Sequence, residues 1–316
     1  MNTTPVWMDC DTGFDDLMAL VAIANEPAIT LVGVSTVVGN TSLANTTRNT
    51  LATVELFGIT APVYAGCASP MAQPPQTIES LLGADGLGTI DRRLPDPVRR
   101  TVGPRHGVQA LIDCCRLTQR PITIMATGPL TNLAHALALA PDIATTIERV
   151  VVMGGSADSG NHTAAAEFNV YADPEAWRQV LRSGVPMEIF GLNLTRQVLI
   201  TPADEDAIRA VGTPLAHTIA DHLAFYLRIR TKDEPSPMPL HDPSVAAYLA
   251  HPEWFELKDA HVEVEVAGTV TRGATVCEFR VPRKAAPNAH VAVSAQGRAV
   301  VDHIVGRMVQ ALIAVA

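Results

Sequence analysis

Residues 6–16 read Val6-Trp7-Met8-Asp9-Cys10-Asp11-Thr12-Gly13-Phe14-Asp15-Asp16, an apolar run that ends in four carboxylates within eight residues. The run is short and suits a buried strand, while residues 16–25 beyond it carry a helical pattern. A strand that feeds a helix through a glycine turn begins a βαβ unit, and the rest of the chain repeats that rhythm. Strands are predicted over 6–8, 30–38, 122–126, 150–153 and 187–192. Helices are predicted over 16–25, 43–57, 108–116, 129–139 and 174–182. Residues 261–266 and 290–293 read as later strands near an edge, and 300–314 as a closing amphipathic helix.

The expectation is therefore an α/β fold. One domain spans residues 1–316, with an open, mainly parallel, Rossmann-like sheet and helices on both faces. Two segments break the rhythm: 68–105 is rich in Pro and Gly, and 202–240 is helical before Pro235, Pro237 and Pro239. Both are predicted as insertions over the C-terminal edge of the sheet. Ligands in such sheets bind beyond the carboxyl ends of the strands. Asp9 and Asp11, Asn40, Thr127, Gly154-Gly155 and Asn193 are placed at those ends.

Composition narrows the function. The chain has 316 residues, 47% hydrophobic, with 17% charged residues and a net charge of -9, enough apolar content for one large core. No Lys/Arg run stands out, so nucleic acid is not an expected partner. The longest apolar stretches are too short to span a bilayer, and no basic leader with a cleavage site opens the chain, so neither membrane insertion nor secretion is expected. Five cysteines without CxxC spacing argue against zinc and against a disulfide framework, and favour a reducing cytoplasm. Cys10, between two aspartates, reads as a small buried side chain turned away from them by strand alternation.

Four clustered carboxylates repel one another, and burial raises their pKa values unless a cation compensates. All-oxygen ligation points to Ca2+ or Mg2+ rather than zinc. Gly13 lets the chain turn so that carboxylates on both sides converge, and Asp15 and Asp16 open the next helix, where the dipole favours negative charge. An EF-hand counted from Asp9 fails, because Phe14 and Leu20 stand where glycine and glutamate are needed. A haloacid-dehalogenase-like, Mg2+-dependent phosphatase with Asp9 as nucleophile is the runner-up, although the order is Asp11-Thr12-Gly13 and no later lysine and acidic pair stands out.

Further along, His241-Asp242-Pro243 precedes a helical run. Read plainly, Asp242 is an N-cap with Pro243 in the first turn, the same device as Asp173-Pro174-Glu175. Read functionally, Asp242 closes a metal shell and His241 is an acid near neutral pH. Glu167 and Asn169 alternate with apolar residues, which in an extended chain sends both to one side. Carboxylate and amide groups suit sugar hydroxyls.

Together these residues resemble the inosine–uridine nucleoside hydrolase family over nearly the whole chain. The carriers are residues 9–16 as DxDxGxDD, Val37-Val38-Gly39-Asn40, Ala126-Thr127-Gly128-Pro129-Leu130-Thr131-Asn132, Met153-Gly154-Gly155, Glu167-Phe168-Asn169, His241-Asp242-Pro243 and Thr271-Arg272-Gly273. The resemblance implies Ca2+-dependent hydrolysis of the N-glycosidic bond of ribonucleosides to base and ribose, through a metal-activated water and an oxocarbenium-like transition state. It implies Asp11, Asp16, Asp242 and the Thr127 carbonyl as metal ligands, with Asp11 also the general base and His241 the leaving-group acid. Asp15 and Asn169 would hold the 2′- and 3′-hydroxyls, Asn161 and Glu167 the 5′-hydroxyl. Asn40 would serve Asp11 and the sugar, Met153 would contact substrate, and Asp9 would support from behind. A homodimer or homotetramer is implied. A non-catalytic nucleoside-binding protein is the third reading, opposed by the presence of both Asp11 and His241.

The pattern departs from the family around the base. Leucine stands at Leu82, where many pyrimidine-preferring members carry histidine, and the late-helix tyrosines are not clearly matched, His222, Phe225, Tyr226 and Arg228 occupying that region. No tryptophan pair is evident; Trp7, Trp177 and Trp254 read as packing residues. Base preference is left open.

Overall fold

A computed structural model describes residues 3–88, 93–232 and 234–316; parts of both expected insertions, 89–92 and 233, lie outside the described residues. In chain order the strands are β1 (Thr4–Cys10), β2 (Ile29–Thr36), β3 (Val63–Ala65), β4 (Ile122–Ala126), β5 (Ile147–Met153), β6 (Met187–Phe190), β7 (Leu199–Ile200), β8 (Met238–Pro239), β9 (Phe255–Val264), β10 (Thr275–Glu278) and β11 (Ala289–Ala295). The helices are α1 (Phe14–Ala24), α2 (Leu43–Leu56), α3 (Glu79–Leu82), α4 (Gly107–Leu117), α5 (Thr131–Leu139), α6 (Phe168–Ala172), α7 (Pro174–Leu181), α8 (Leu192–Thr195), α9 (Pro202–Arg209), α10 (Pro214–Tyr226), α11 (Asp242–Ala250) and α12 (Gly297–Ala314).

Nine strands form one sheet in the order β10-β9-β11-β6-β5-β4-β1-β2-β3. Pairing is parallel from β3 through β11, and antiparallel only where β9 meets β11 and β10. The chain runs from β1 outward to β2 and β3, then returns to lay β4 on the other flank of β1. That reversal opens a crevice at the carboxyl ends of β1 and β4, where doubly wound sheets bind ligands. The expected α/β sheet is thus the observed one. Its short strand β3 and edge strand β10 carry too few residues for periodicity to reveal. The predicted strand over 187–192 stops at Phe190, because Gly191 turns the chain into α8.

Strand alternation sorts the core into two layers, one on each face of the sheet. Val6, Met8 and Cys10 of β1 pack with α1, α10, α11 and α12, whereas Trp7 joins α4, α5 and α7 on the opposite face. Val151 and Met153 of β5 follow the first set, Val150 and Val152 the second. Nearly every residue of α1 is buried, because the helix is enclosed by the sheet and by α2, α10, α11 and α12. A helix apolar all round is stable only when so enclosed. Among the described residues no helix is long and apolar enough to cross a membrane.

Candidate active site

Alternation at the end of β1 separates the first two aspartates. Asp9 faces α5: its Oδ1 accepts hydrogen bonds from Ser35 Oγ at 2.5 Å and Asn132 Nδ2 at 2.7 Å, and Trp7 Nε1 donates to the same serine at 2.8 Å. Its Oδ2 has no partner, and burial pushes the carboxyl up to about 6 against those two hydrogen bonds. Asp9 is 1% exposed and does not line the cavity described below, so it cannot meet a phosphoryl group as a nucleophile. Cys10 points to the other face, against Thr12 and the Ser35 carbonyl.

Asp11 leaves the strand and turns toward Asn40, whose backbone N–H donates to Oδ2 at 2.7 Å. Two glycines make room for it. A Cβ at Gly39 would collide with Asp11 Oδ2, and one at Gly128 would stand 3.0 Å from Oδ1. The Oδ1 atom itself is buried without a partner. Asp16, in the first turn of α1, accepts from Thr127 Oγ1 at 2.7 Å, from the Gly13 N–H at 2.9 Å and from Asn40 Nδ2 at 3.2 Å. Asn40 therefore bridges the two carboxylates, its Nδ2 also reaching the Asp11 carbonyl at 3.3 Å.

The carboxylates that converge most tightly are Asp15, Asp16 and Asp242, with oxygens within 4.8 Å of one another. The trio read from the sequence had Asp11 in place of Asp15; Asp11 lies beside this group, close enough for its charge to act on Asp242. Burial, and then the neighbouring carboxylates, hold Asp11 and Asp242 well above the usual range and push Asp16 up to about 7. Burial also raises Asp15. Among the described residues no lysine or arginine forms an ion pair with any of the four. Crowded, desolvated carboxylates without a counter-charge are the donor set of a hard cation, and Asp11 Oδ1 is an unused ligand atom among them.

The two Asp-Pro steps that looked alike in sequence differ in structure. Asp173 caps α7 and accepts from the Ala176 N–H at 3.1 Å. Asp242 is instead the first residue of α11, no side chain caps that helix, and its carboxylate lines the cavity. His241 precedes it with Nδ1 2.8 Å from Thr195 Oγ1, leaving Nε2 for a ligand. Burial, then the charges of Arg230 and Arg196, bring its pKa down to about 4, so the ring is neutral at neutral pH.

Glu167 and Asn169 reach the cavity by a different route from the extended chain expected. Glu167 is the N-cap of α6, accepting from Asn169 N at 2.9 Å, Gly155 N at 2.8 Å and Val170 N at 3.2 Å, while Asn169 is already helical. Burial nevertheless pushes Glu167 up to about 7. Asn169 Nδ2 donates to the carbonyls of Thr127 at 2.7 Å and Met153 at 3.2 Å. Asn161 Oδ1 accepts from the Phe168 N–H at 3.0 Å, which orients its amide over the same rim. Asn193, expected at a strand end, sits in α8 and ties Ala157 to Ala292 without lining the cavity.

These side chains enclose a cavity of about 400 Å3. Asp11, Asp15, Asn40, Thr127, Met153, Asn161, Glu167, Asn169, His241 and Asp242 line it. Asp16 closes its floor from behind, fully buried. The outer wall brings residues that sequence reasoning missed: Ile78, Leu81, His162, Ile229, Arg230 and Met238, along with Leu82, Phe168 and Tyr226. His162 follows Asn161 directly, and that adjacency was its one available signal. Tyr226 donates its hydroxyl to the Pro239 carbonyl, which sets its ring in the wall. His222 holds Leu87 at 2.6 Å and His106 caps α4; neither they nor His217 line the cavity.

Residues 6–302 match the sequence profile of the inosine-uridine preferring nucleoside hydrolases. The chain is 36% identical to an inosine-uridine preferring nucleoside hydrolase of Leishmania major over 90% of its length and 91% of that protein. It is 35% identical to the pyrimidine-specific ribonucleoside hydrolase RihA of Enterobacter sp. strain 638, over 97% and 98% of the two chains. A purine-preferring ribonucleoside hydrolase from Gardnerella vaginalis superposes with a TM-score of 0.91 at 28% identity, over 98% and 100% of the two chains. Fold and site thus define an N-glycosyl hydrolase. The chain belongs to the inosine-uridine preferring nucleoside hydrolase family.

Proposed function

We propose that this enzyme hydrolyses ribonucleosides to free base and ribose with a bound Ca2+ held by Asp11, Asp16, Asp242 and the Thr127 carbonyl. The observation that carries the reading is the buried carboxylate group without a counter-cation, with Asp11 Oδ1 left unpartnered at its edge. Carboxylates plus a backbone carbonyl suit Ca2+, which accepts irregular protein oxygen shells more readily than Mg2+. When bound, the ion supplies Lewis acidity toward a water and orients a vicinal diol.

The chain's own residues do the rest. Asp15 and Asn169 grip the 2′- and 3′-hydroxyls; Asn161 and Glu167 hold the 5′-hydroxyl, with Asn40 and Met153 completing the sugar contacts. Asp11 takes the proton of the attacking water, and the unpartnered Oδ1 supports that role. As the glycosidic bond lengthens, positive charge grows on the ribose, and the surrounding carboxylates stabilise it. The neutral His241 donates a hydrogen bond through Nε2–H to the base, which departs with the bonding electron pair and takes its proton from solvent, while Asp11 returns the proton it took to solvent. Asp9 acts from behind, steadying β1 against α5.

Cytoplasmic residence and a dimeric or tetrameric assembly belong to the same proposal; five free thiols support the former, and sedimentation velocity tests the latter. The central experiment follows ribose release from inosine, uridine, cytidine and adenosine, with and without chelator and Ca2+ add-back. Ribose from none of the four sinks the proposal, and activity that survives chelation removes the cation from it.

A further inference from the structure

The outer wall of the cavity is largely apolar; its polar members are His162, Tyr226, whose hydroxyl is taken by the Pro239 carbonyl, and Arg230. Ile78, Leu81, Leu82, Ile229 and Met238 supply hydrocarbon, and among them Arg230 brings a guanidinium from the turn that follows α10. Two arginine charges act on His241, and their settings differ. Arg196 is locked in place, donating to Asp158 at 2.9 Å, to Ser159 Oγ at 2.9 Å and to the Gly160 carbonyl at 2.9 Å. Arg230 has no hydrogen-bond or ion-pair partner among the described residues, although it is exposed and lines the cavity. Its five N–H donors are thus committed to no described protein group, beside a binding cavity.

We propose that Arg230 determines base preference by donating to an oxo edge of the leaving base, favouring oxo bases over amino bases. This rests on the nucleoside hydrolase reading, which places ribose against the carboxylates and the base against the outer wall. A guanidinium carries donors and no acceptor, so it complements paired acceptors such as O6 and N7 of hypoxanthine, or a uracil carbonyl. Adenine and cytosine present an amino group where those bases carry an oxygen, which sets donor against donor. The same cation also favours the negative charge that gathers on a base as its bond to ribose breaks, so the contact strengthens toward the transition state. The flanking hydrocarbon accepts either ring size, leaving the polar edge to discriminate.

The test is kcat/KM of the full-length enzyme and of Arg230→Met and Arg230→Lys on uridine, cytidine, inosine and adenosine, with Ca2+ present throughout. In Arg230→Met, uridine and inosine should fall at least about ten-fold, while cytidine and adenosine lose at most about three-fold, so both oxo-to-amino ratios collapse. Arg230→Lys should retain part of each ratio, since it keeps the charge and loses the planar fork. Equal losses on all four substrates, or unchanged ratios in an active enzyme, overturn the assignment while leaving the hydrolase reading intact. A parent enzyme that prefers cytidine and adenosine overturns it as well. A parent that releases ribose from no nucleoside fails the hydrolase reading itself, and the Arg230 assignment with it. Because Arg230 is exposed and unpaired, the melting temperatures of the variants should match the parent, which separates recognition from folding.

Discussion

At the inner end of the cavity the polar side chains, apart from Asn161 in the loop before α6, come from just beyond sheet strands or from the start of helices, and most are buried and hydrogen-bonded. The outer wall is assembled from α3, the turn after α10 and the short strand β8, with side chains that are apolar or partly exposed. The inner end needs positions fixed within fractions of an ångström, so it is built on rigid elements whose partners hold it. In the proposed reading the outer wall needs only to enclose a flat ring, which several hydrophobic residues serve equally well. The relatives span inosine-uridine, pyrimidine and purine preferences on one fold, which is consistent with chemistry at the inner end and selectivity at the outer.

The largest blow to the inner end should come from Asp11→Ala. It removes the proposed base and one ligand together, and kcat should fall by roughly 10^3-fold or more. Its melting temperature without added metal should be equal or higher, because one member of a buried like-charged group is gone. An active variant measured by ribose release would break the assignment. Chelation should act next: ribose release should fall close to background and return with Ca2+, and added Ca2+ should raise the melting temperature by binding only the folded state. A chelated protein that melts where the Ca2+-loaded one does would contradict this.

Gly39→Ala tests whether the inner end tolerates displacement. Its Cβ would meet Asp11 Oδ2, so the carboxylate must move. We expect about a hundred-fold loss in kcat with a much smaller change in stability, read by parallel kinetics and thermal melts. Asn132→Ala, behind the site, removes a donor to buried Asp9 and should cost about 1–3 kcal/mol of stability in denaturant titrations, with about a ten-fold loss of kcat. Leu82→Ala, in the outer wall, should shift KM by only a few-fold and leave kcat nearly unchanged. If Leu82→Ala lowered kcat as Gly39→Ala does, the division between the two ends would fail.

The same division separates what was legible in the sequence from what was not. Asp9, Asp11, Asn40 and Thr127 stand out as polar residues at the ends of apolar strands, and they lie at or just beyond β1, β2 and β4, where the parallel-sheet reading put them. The sheet itself followed from strand–helix alternation, while β3 and β10 escaped because three or four residues carry no period. Glu167 and Asn169 were found for an incorrect local reason, since a helix cap rather than an extended strand brings them to the cavity. Asp173 and Asp242 could not be told apart by their Asp-Pro steps, because capping and site roles use the same dipeptide and only tertiary packing separates them. Ile229, Arg230 and Met238 were invisible because their place depends on how a long insertion folds back over the sheet. Local pattern does not encode that path.

The enclosure of α1 by α10, α11 and α12 has a consequence for how the protein is made. The strand, turn and helix that carry four of the aspartates are synthesised about two hundred residues or more before the covering helices α10, α11 and α12. Until residues near 300 have emerged, the apolar surface of α1 has no complete partner, and Asp242 is absent for most of that time. Such long-range closure slows folding and leaves a hydrophobic helix open to chaperones during translation. The hydrolytic centre is therefore completed only when α1 meets helices about two hundred residues or more further along the chain.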